Sequence, residues 1–483
     1  MRLSTFALTA ALVSTPFTTA LESSFKQKLA HRSLVSLESR DPTGNFDQLY
    51  LASNYQNGST APGAAANDNA GQQVVVGGTG ADDDSQRPGC DTIFINTAAV
   101  NGSDTGGWTE IPNVLGFYVD RNITYGTATM PVFVEANKDL TKVKRVIIGQ
   151  PGKPRDAWKY SNLFRNSLNC AVANTSMAVQ WNDVLVTAPV WLDMDDHNAG
   201  AGNPTDLYFS DGGWNQGSKA QGPGNADASS FEVLDSLVTR FANQSEFPAL
   251  TSIIVAGHSL GGSVSQRYAM LRNNDSSTEA LVSYWVGNPG AYVWPSPQRP
   301  VTPSNTSCAS EVDDWSYGVA GGLPAYVKGK PAPDTFYARY RTRRIQYALG
   351  LADFGPGDTH CEAQYQGSSH LNRGQNMQKA LQAMAGGMPS TQSFNYVPNT
   401  SHEDYLMMSD PNSQSYLFVE GLTDPRPSGT ASSSSGGSSN SKSGSKSGSS
   451  SGGSNSLKSG AGVLESMQGL MLSIVFVVAC IVL

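Results

Sequence analysis

At 483 residues the chain has room for two or three domains, although both of its ends subtract from that figure. Charged residues make up 15% of it, low for a globular domain, and the formal net charge is −8. A basic phosphate-binding face is therefore disfavoured, and a nucleic-acid partner with it.

In chain order, Met1-Arg2-Leu3 is a short cationic head, residues 6–13 are an apolar run too short to span a bilayer, and Thr18-Thr19-Ala20 offers small residues for cleavage. Residues 1–20 are thus expected to be a secretory signal peptide. Residues 21–89 are mixed and then poor in apolar side chains, which reads as a low-complexity leader or propeptide, with the folded domain over 90–425. Within that domain, apolar runs at 130–135, 143–148, 184–189, 252–256, 281–286, 344–349 and 393–397 predict strands. Helical spacing appears at 230–241, 263–271 and 371–384. Short apolar strands alternating with helices predict the α/β class, with a mostly parallel central sheet flanked by helices. The Gly/Asn/Asp-rich stretch 193–228 and the Pro-rich stretch 292–335 read as insertions that shape a pocket or form a lid or cap.

Residues 426–461 are dominated by Ser and Gly and predict a flexible stalk. Residues 462–483 close on an apolar tail, and Ser459-Gly460-Ala461 supplies small residues upstream of it. This is the layout of a GPI-attachment signal, with lipid exchange expected at Ser459 and Asn455 as the next choice. The expected address is the cell surface, tethered to plasma membrane or wall. Sequons at Asn57, Asn101, Asn122, Asn174, Asn243, Asn274, Asn305 and Asn399 mark candidate N-glycosylation sites on surface turns. Loss of Cys480 with the tail leaves Cys90, Cys170, Cys308 and Cys361, enough for two disulfides in an oxidising compartment. Of three connectivities, Cys90–Cys170 with Cys308–Cys361 is favoured. Neither C-x-x-C nor H-E-x-x-H occurs, so no metal site is expected, and nothing calls for a cofactor.

The stretch Ile253-Ile254-Val255-Ala256-Gly257-His258-Ser259-Leu260-Gly261-Gly262-Ser263 organises the rest. A β-branched run stops at Gly257 and a helical pattern resumes after Gly261, so the G-x-S-x-G pattern sits on a strand-to-helix turn. Such a turn lifts a serine hydroxyl clear of the sheet, and the Leu260 N–H at the helix start points where an oxyanion would form. Gly448-Ser449-Ser450-Ser451-Gly452 fits the same pattern, but inside the stalk, where nothing folds around it.

A serine needs a base to take its proton, and a third group to orient that base. Among six histidines, His31 and His197 precede Ser259, and His258 beside it is expected to point away from the site. Of His360, His370 and His402, the last follows the final predicted strand and is the candidate base; His370 reads as a capping or packing residue. The acid should follow the strand at 344–349, which makes Asp353 the candidate and Asp358 the alternative.

The order Ser259, Asp353, His402, with Gly-His-Ser-Leu-Gly-Gly at the elbow, resembles the α/β-hydrolase superfamily and its lipase/esterase branch. The export signal, lipid tail and serine-rich stalk are similar to those of fungal secreted, GPI-anchored proteins. The resemblance implies a serine hydrolase that cleaves carboxylic esters, with a small-molecule or lipid ester as substrate. Members carry a His-Gly after the third strand, and the next N–H completes the oxyanion hole. Here Gln150-Pro151-Gly152-Lys153 occupies that place, so proline replaces the histidine and the Lys153 N–H is the candidate second donor. A serine peptidase or amidase of the same fold, and a non-catalytic cell-wall binding module, are the competing readings.

Overall fold

The structure, a computed structural model, describes residues 59–60, 73–75 and 94–427, apart from 104 and 225. The expected signal peptide, the stalk from Ser428 on and the GPI signal lie outside the described residues. Three short strands open the chain: β1 (Ser59–Thr60), β2 (Gln73–Val75) and β3 (Phe94–Ile95). They pair antiparallel in the order β1-β2-β3, so ordered structure begins inside the expected leader, before Cys90.

The main sheet has eight strands. They are β4 (Phe117–Tyr125), β5 (Ala128–Glu135), β6 (Arg145–Gln150), β7 (Val184–Pro189), β10 (Ser252–His258), β11 (Val282–Gly287), β12 (Arg344–Gly350) and β13 (Gln392–Val397). Their order is β13-β12-β11-β10-β6-β7-β5-β4. From β13 to β7 every pair is parallel, whereas β5 runs antiparallel to both β7 and β4. The central strands are buried on both faces, as their unbroken apolar runs require.

Alternation along β10 divides the core in two. Ile253 and Val255 point into a cluster with Phe231, Leu234 and Leu237 of α3 (Ser230–Phe241) and Val264 and Tyr268 of α4 (Leu260–Leu271). Ile254 and Ala256 point the other way, against Leu163, Phe164 and Leu168 of α1 (Ala157–Ala173). Each such aliphatic side chain contributes roughly 1.5–3 kcal/mol by leaving water. That burial holds helices against both faces and fixes the strand register.

The expected insertions lie outside the main sheet. Residues 193–228 hold α2 (Met194–Ala199) and β9 (Tyr208–Phe209), which pairs with β8 (Leu192–Asp193). Leu207, Phe209 and Trp214 from this stretch are buried in the main cluster, as are Trp294, Val319 and Tyr326 from the second. Both insertions are thus pinned to the core by large side chains. The chain continues through α5 (Pro333–Thr342), α6 (Cys361–Gln364), α7 (His370–Ala383), α8 (Asp404–Ser409) and α9 (Pro411–Gln414). No helix among the described residues is long and apolar enough to cross a membrane.

Candidate active site

Ser259 sits between the end of β10 and the first residue of α4, with φ 58° and ψ −125°. Positive φ in a residue with a Cβ costs on the order of 1–3 kcal/mol and persists only where surroundings dictate it. Here they do. A Cβ on Gly257 would lie 2.3 Å from the Gly261 carbonyl carbon, and one on Gly261 would lie 2.2 Å from the Gln150 carbonyl oxygen. The Ser259 N–H donates to the Gly287 carbonyl at 2.9 Å, which ties the turn to β11. Leu260, as the first residue of α4, has an N–H with no partner inside the helix.

The candidate acid and base, Asp353 and His402, lie on loops at the carboxyl ends of β12 and β13. Two backbone bonds lace these loops together: Leu351 N–H to the Val397 carbonyl and Ala352 N–H to the Thr400 carbonyl, both 2.9 Å. Asp353 is fully buried, and its Oδ2 accepts from His402 Nδ1 at 2.7 Å. The Nε2 of His402 is therefore the ring nitrogen left for other work. The His402 ring centroid lies 4.6 Å from that of His258, the residue preceding Ser259.

Asp358 does not compete for this role. Its carboxylate takes the His360 ring at 2.6 Å and the Tyr317 hydroxyl at 2.9 Å. The structure also places His370 differently from the expected capping or packing role. Ser369 is the cap of α7, and the His370 ring reaches Asp353 Oδ1 with Nδ1 at 3.1 Å. One carboxylate thus receives two imidazole N–H groups, and the rings of His370 and His402 stack with centroids 4.2 Å apart. Burial raises the pKa of Asp353, but the bonds from His370 and His402 and their charges outweigh it and hold the carboxyl below its ordinary range. Burial of His370 lowers its own pKa and favours the neutral ring.

His258 does not point away, as expected, but inward. It is fully buried, and its Nδ1 donates to Asp404 Oδ1 at 2.5 Å. Asp404 is also held by Lys159 and by the Tyr160 hydroxyl, each at 2.8 Å. On the far side of the ring, Asn288 Nδ2 donates to His258 Nε2 at 3.4 Å, while Asn288 Oδ1 accepts the Gly350 N–H at 2.8 Å. An acceptor at Nδ1 and a donor at Nε2 define one neutral tautomer. Burial pushes the His258 pKa down in the same sense, against the pull of Asp404.

Gln150, Pro151 and Gly152 run directly under the elbow: the Pro151 carbonyl oxygen would lie 2.6 Å from a Cβ on Gly261. Gly152 is buried against the Tyr160 hydroxyl, and Lys153 is exposed at the tip of this turn. The disulfide Cys308–Cys361 is present, and Cys170 is disulfide-bonded, whereas Cys90 lies outside the described residues. Asn101, Asn122, Asn174, Asn243, Asn274, Asn305 and Asn399 are all exposed, and Asn57 lies outside the described residues.

Sequence reasoning missed His370, Asp404 and Asn288 as parts of this cluster. Asp353, His370 and His402 each bring a ligand-type atom within 4.8 Å of the others. Short-range motifs have no means of registering such a group.

No family model matches the chain, and no curated protein matches it. Among solved structures, it is similar to poly(aspartic acid) hydrolase-1 from Sphingomonas sp. KT-1, at 16% identity and TM-score 0.43, over 62% of this chain and 98% of that one. It is similar to LpqC, a poly(3-hydroxybutyrate) depolymerase from Bordetella parapertussis, at 16% identity and TM-score 0.43, over 62% and 90%. Siderophore hydrolase EstB from Aspergillus nidulans is similar at 13% identity and TM-score 0.36, over 64% and 97%. The strand order, the antiparallel β5 and the strand–turn–helix at Ser259 make this an α/β-hydrolase fold.

Proposed function

We propose that the chain is a serine hydrolase that cleaves carboxylic esters through an acyl-enzyme intermediate. One observation carries the reading. A buried carboxylate fixes the imidazole of His402 by its Nδ1, and that ring lies against the residue preceding a serine held at positive φ. In this reading Ser259 attacks the ester carbonyl while His402 takes its proton at Nε2. His402 then passes the proton to the leaving alcohol, and water repeats the sequence to release the acid. Asp353 keeps the ring in the required tautomer and stabilises the imidazolium. The N–H of Leu260 and that of Lys153 receive the oxyanion, each worth about 3 kcal/mol when preorganised. The Gly-His-Ser-Leu-Gly elbow resembles those of lipases and esterases, which favours an ester over a peptide bond.

A fluorophosphonate probe tests the class directly. Wild-type protein is expected to be labelled stoichiometrically and Ser259→Ala not at all. A folded wild type that takes no label would leave the non-catalytic binding module as the better account.

The same protein is proposed to act at the cell surface, exported by residues 1–20 and tethered by lipid at Ser459. Support comes from the Ser/Gly stalk and apolar tail in the sequence and from the exposure of every described sequon. Phosphatidylinositol-specific phospholipase C is expected to release intact protein from membranes. Retention after complete digestion would favour a transmembrane tail instead.

A further inference from the structure

A triad acid needs only one imidazole, yet Asp353 holds two, His402 at Oδ2 and His370 at Oδ1. We propose that Asp353, His370 and His402 form a binding site for a divalent transition metal of the zinc and copper class, and that occupancy inhibits the enzyme. The inhibition half rests on the serine-hydrolase reading above; the binding half does not.

Geometry supports the site. Two ligands across a tetrahedral zinc stand about 3.3 Å apart, given metal–ligand bonds of about 2.0–2.2 Å. The pairs His402 Nδ1–Asp353 Oδ2 and His370 Nδ1–Asp353 Oδ1 stand at 2.7 and 3.1 Å, and one ligand atom from each residue falls within 4.8 Å of the others. Small rotations of two rings that already lie face to face would seat an ion among them. Two imidazoles and one carboxylate select borderline metals over calcium or magnesium, which prefer all-oxygen shells. Asp353 and His370 are buried and anchored by β12 and α7, whereas the His402 side chain keeps 34% of its surface exposed, which leaves a path for the ion and room for water as further ligand.

The proton balance explains why occupancy must silence the base. Each ring now carries its proton on Nδ1, where Asp353 accepts it. A metal bonded to Nδ1 of His402 leaves the ring neutral only if that proton moves to Nε2. The Nε2 lone pair that would take the serine proton is then lost. A metal bonded to Nε2 instead consumes the same lone pair. No net proton is released from the His402 ring in either case, and neither case leaves a general base.

Untagged Ser259→Ala protein, titrated with Co²⁺ as a spectroscopic stand-in for Zn²⁺, reads binding without activity. One equivalent is expected to produce visible d–d absorption that Zn²⁺ displaces. The band should disappear in His370→Asn, whose amide N–H replaces the Nδ1–H toward Asp353, and in His402→Asn, with melting temperatures confirming folded protein. In the Ser259 enzyme, Zn²⁺ should inhibit ester hydrolysis, and His370→Asn should need at least about tenfold more Zn²⁺ for the same fractional loss of its own zinc-free rate. Absence of the band at millimolar Co²⁺, or an equal band in both variants, would overturn the proposal. A band lost in the variants, in a protein without esterase activity, would sustain the metal site and refute the hydrolase.

Discussion

Asp353→Ala is expected to lower kcat about 10⁴-fold while leaving KM within a few-fold, a loss of about 5 kcal/mol of transition-state stabilisation. The size follows from what the carboxylate alone supplies. Its Oδ2 is the acceptor that keeps the His402 proton on Nδ1, and no other carboxylate among the described residues is bonded to that ring. Without it the neutral ring is free to carry its proton on Nε2, where it blocks the serine. The imidazolium formed during attack also loses its counter-charge. Asp353→Asn is the subtler variant, because one amide oxygen must serve two Nδ1–H donors, from His370 and His402. Whichever ring meets the amide NH₂ is driven to the other tautomer, so its kcat should fall between wild type and Asp353→Ala. Asp358→Asn should stay within a few-fold of wild type, since its partners are His360 and Tyr317. Steady-state kinetics on a p-nitrophenyl ester, beside a melting curve for each variant, checks all three. An Asp353→Ala enzyme that is folded and within tenfold of wild type would remove Asp353 from the mechanism.

What could be read from sequence divides along the range of the interactions involved. Ser259 was legible because its evidence is local: a β-branched run, a glycine-bounded turn and a helical pattern lie within twenty residues. The strands of the parallel core were legible for the same reason, with ends that moved by two residues at most, as from 143–148 to Arg145–Gln150. The long helix α1 was not, because Asn162, Asn166 and Asn169 sit among its buried positions and break the apolar periodicity. Two of them meet partners far along the chain: Asn162 donates to the Asn96 carbonyl, and Asn166 bonds the backbone of Ile95. Strand β4 escaped for a related reason: Asp120, Arg121 and Asn122 interrupt it at a register shift. In the site, chain order pointed to Asp353 and His402, but nothing local distinguishes a histidine that caps a helix from one that reaches a carboxylate. His370 and Asp404 acquire their partners only when loops 17 and 146 positions apart are folded together.

The second large effect is expected from a single methyl. Gly261→Ala should lower stability by about 3 kcal/mol or more and reduce kcat roughly a hundredfold. The added Cβ would lie 2.2 Å from the Gln150 carbonyl oxygen, 2.6 Å from that of Pro151 and 2.8 Å from the Gln150 carbonyl carbon. All three are backbone atoms, so no side-chain rotation relieves the clash. Gln150 is also paired in register with Gly257, and Gly149 with Ala256, so β6 can retreat only by opening its ladder with β10. The alternative is for α4 to move outward, which carries the Leu260 N–H and the serine away from His402. Either response separates the two halves of the proposed oxyanion hole, since one donor lies on each side of this contact. A misplacement of about 1 Å at reacting atoms costs on the order of 10² in rate. For a domain of this size the stability loss corresponds to a drop of at least about 4 °C in melting temperature. Gly355→Ala is the control, because its new methyl would come no nearer than 3.5 Å to any atom, and its melting temperature should stay within about 2 °C of wild type. If Gly261→Ala instead melted and turned over like wild type, the elbow would not be packed against residues 150–151 as tightly as the structure requires, and the strained serine would lose the contact that holds it in place.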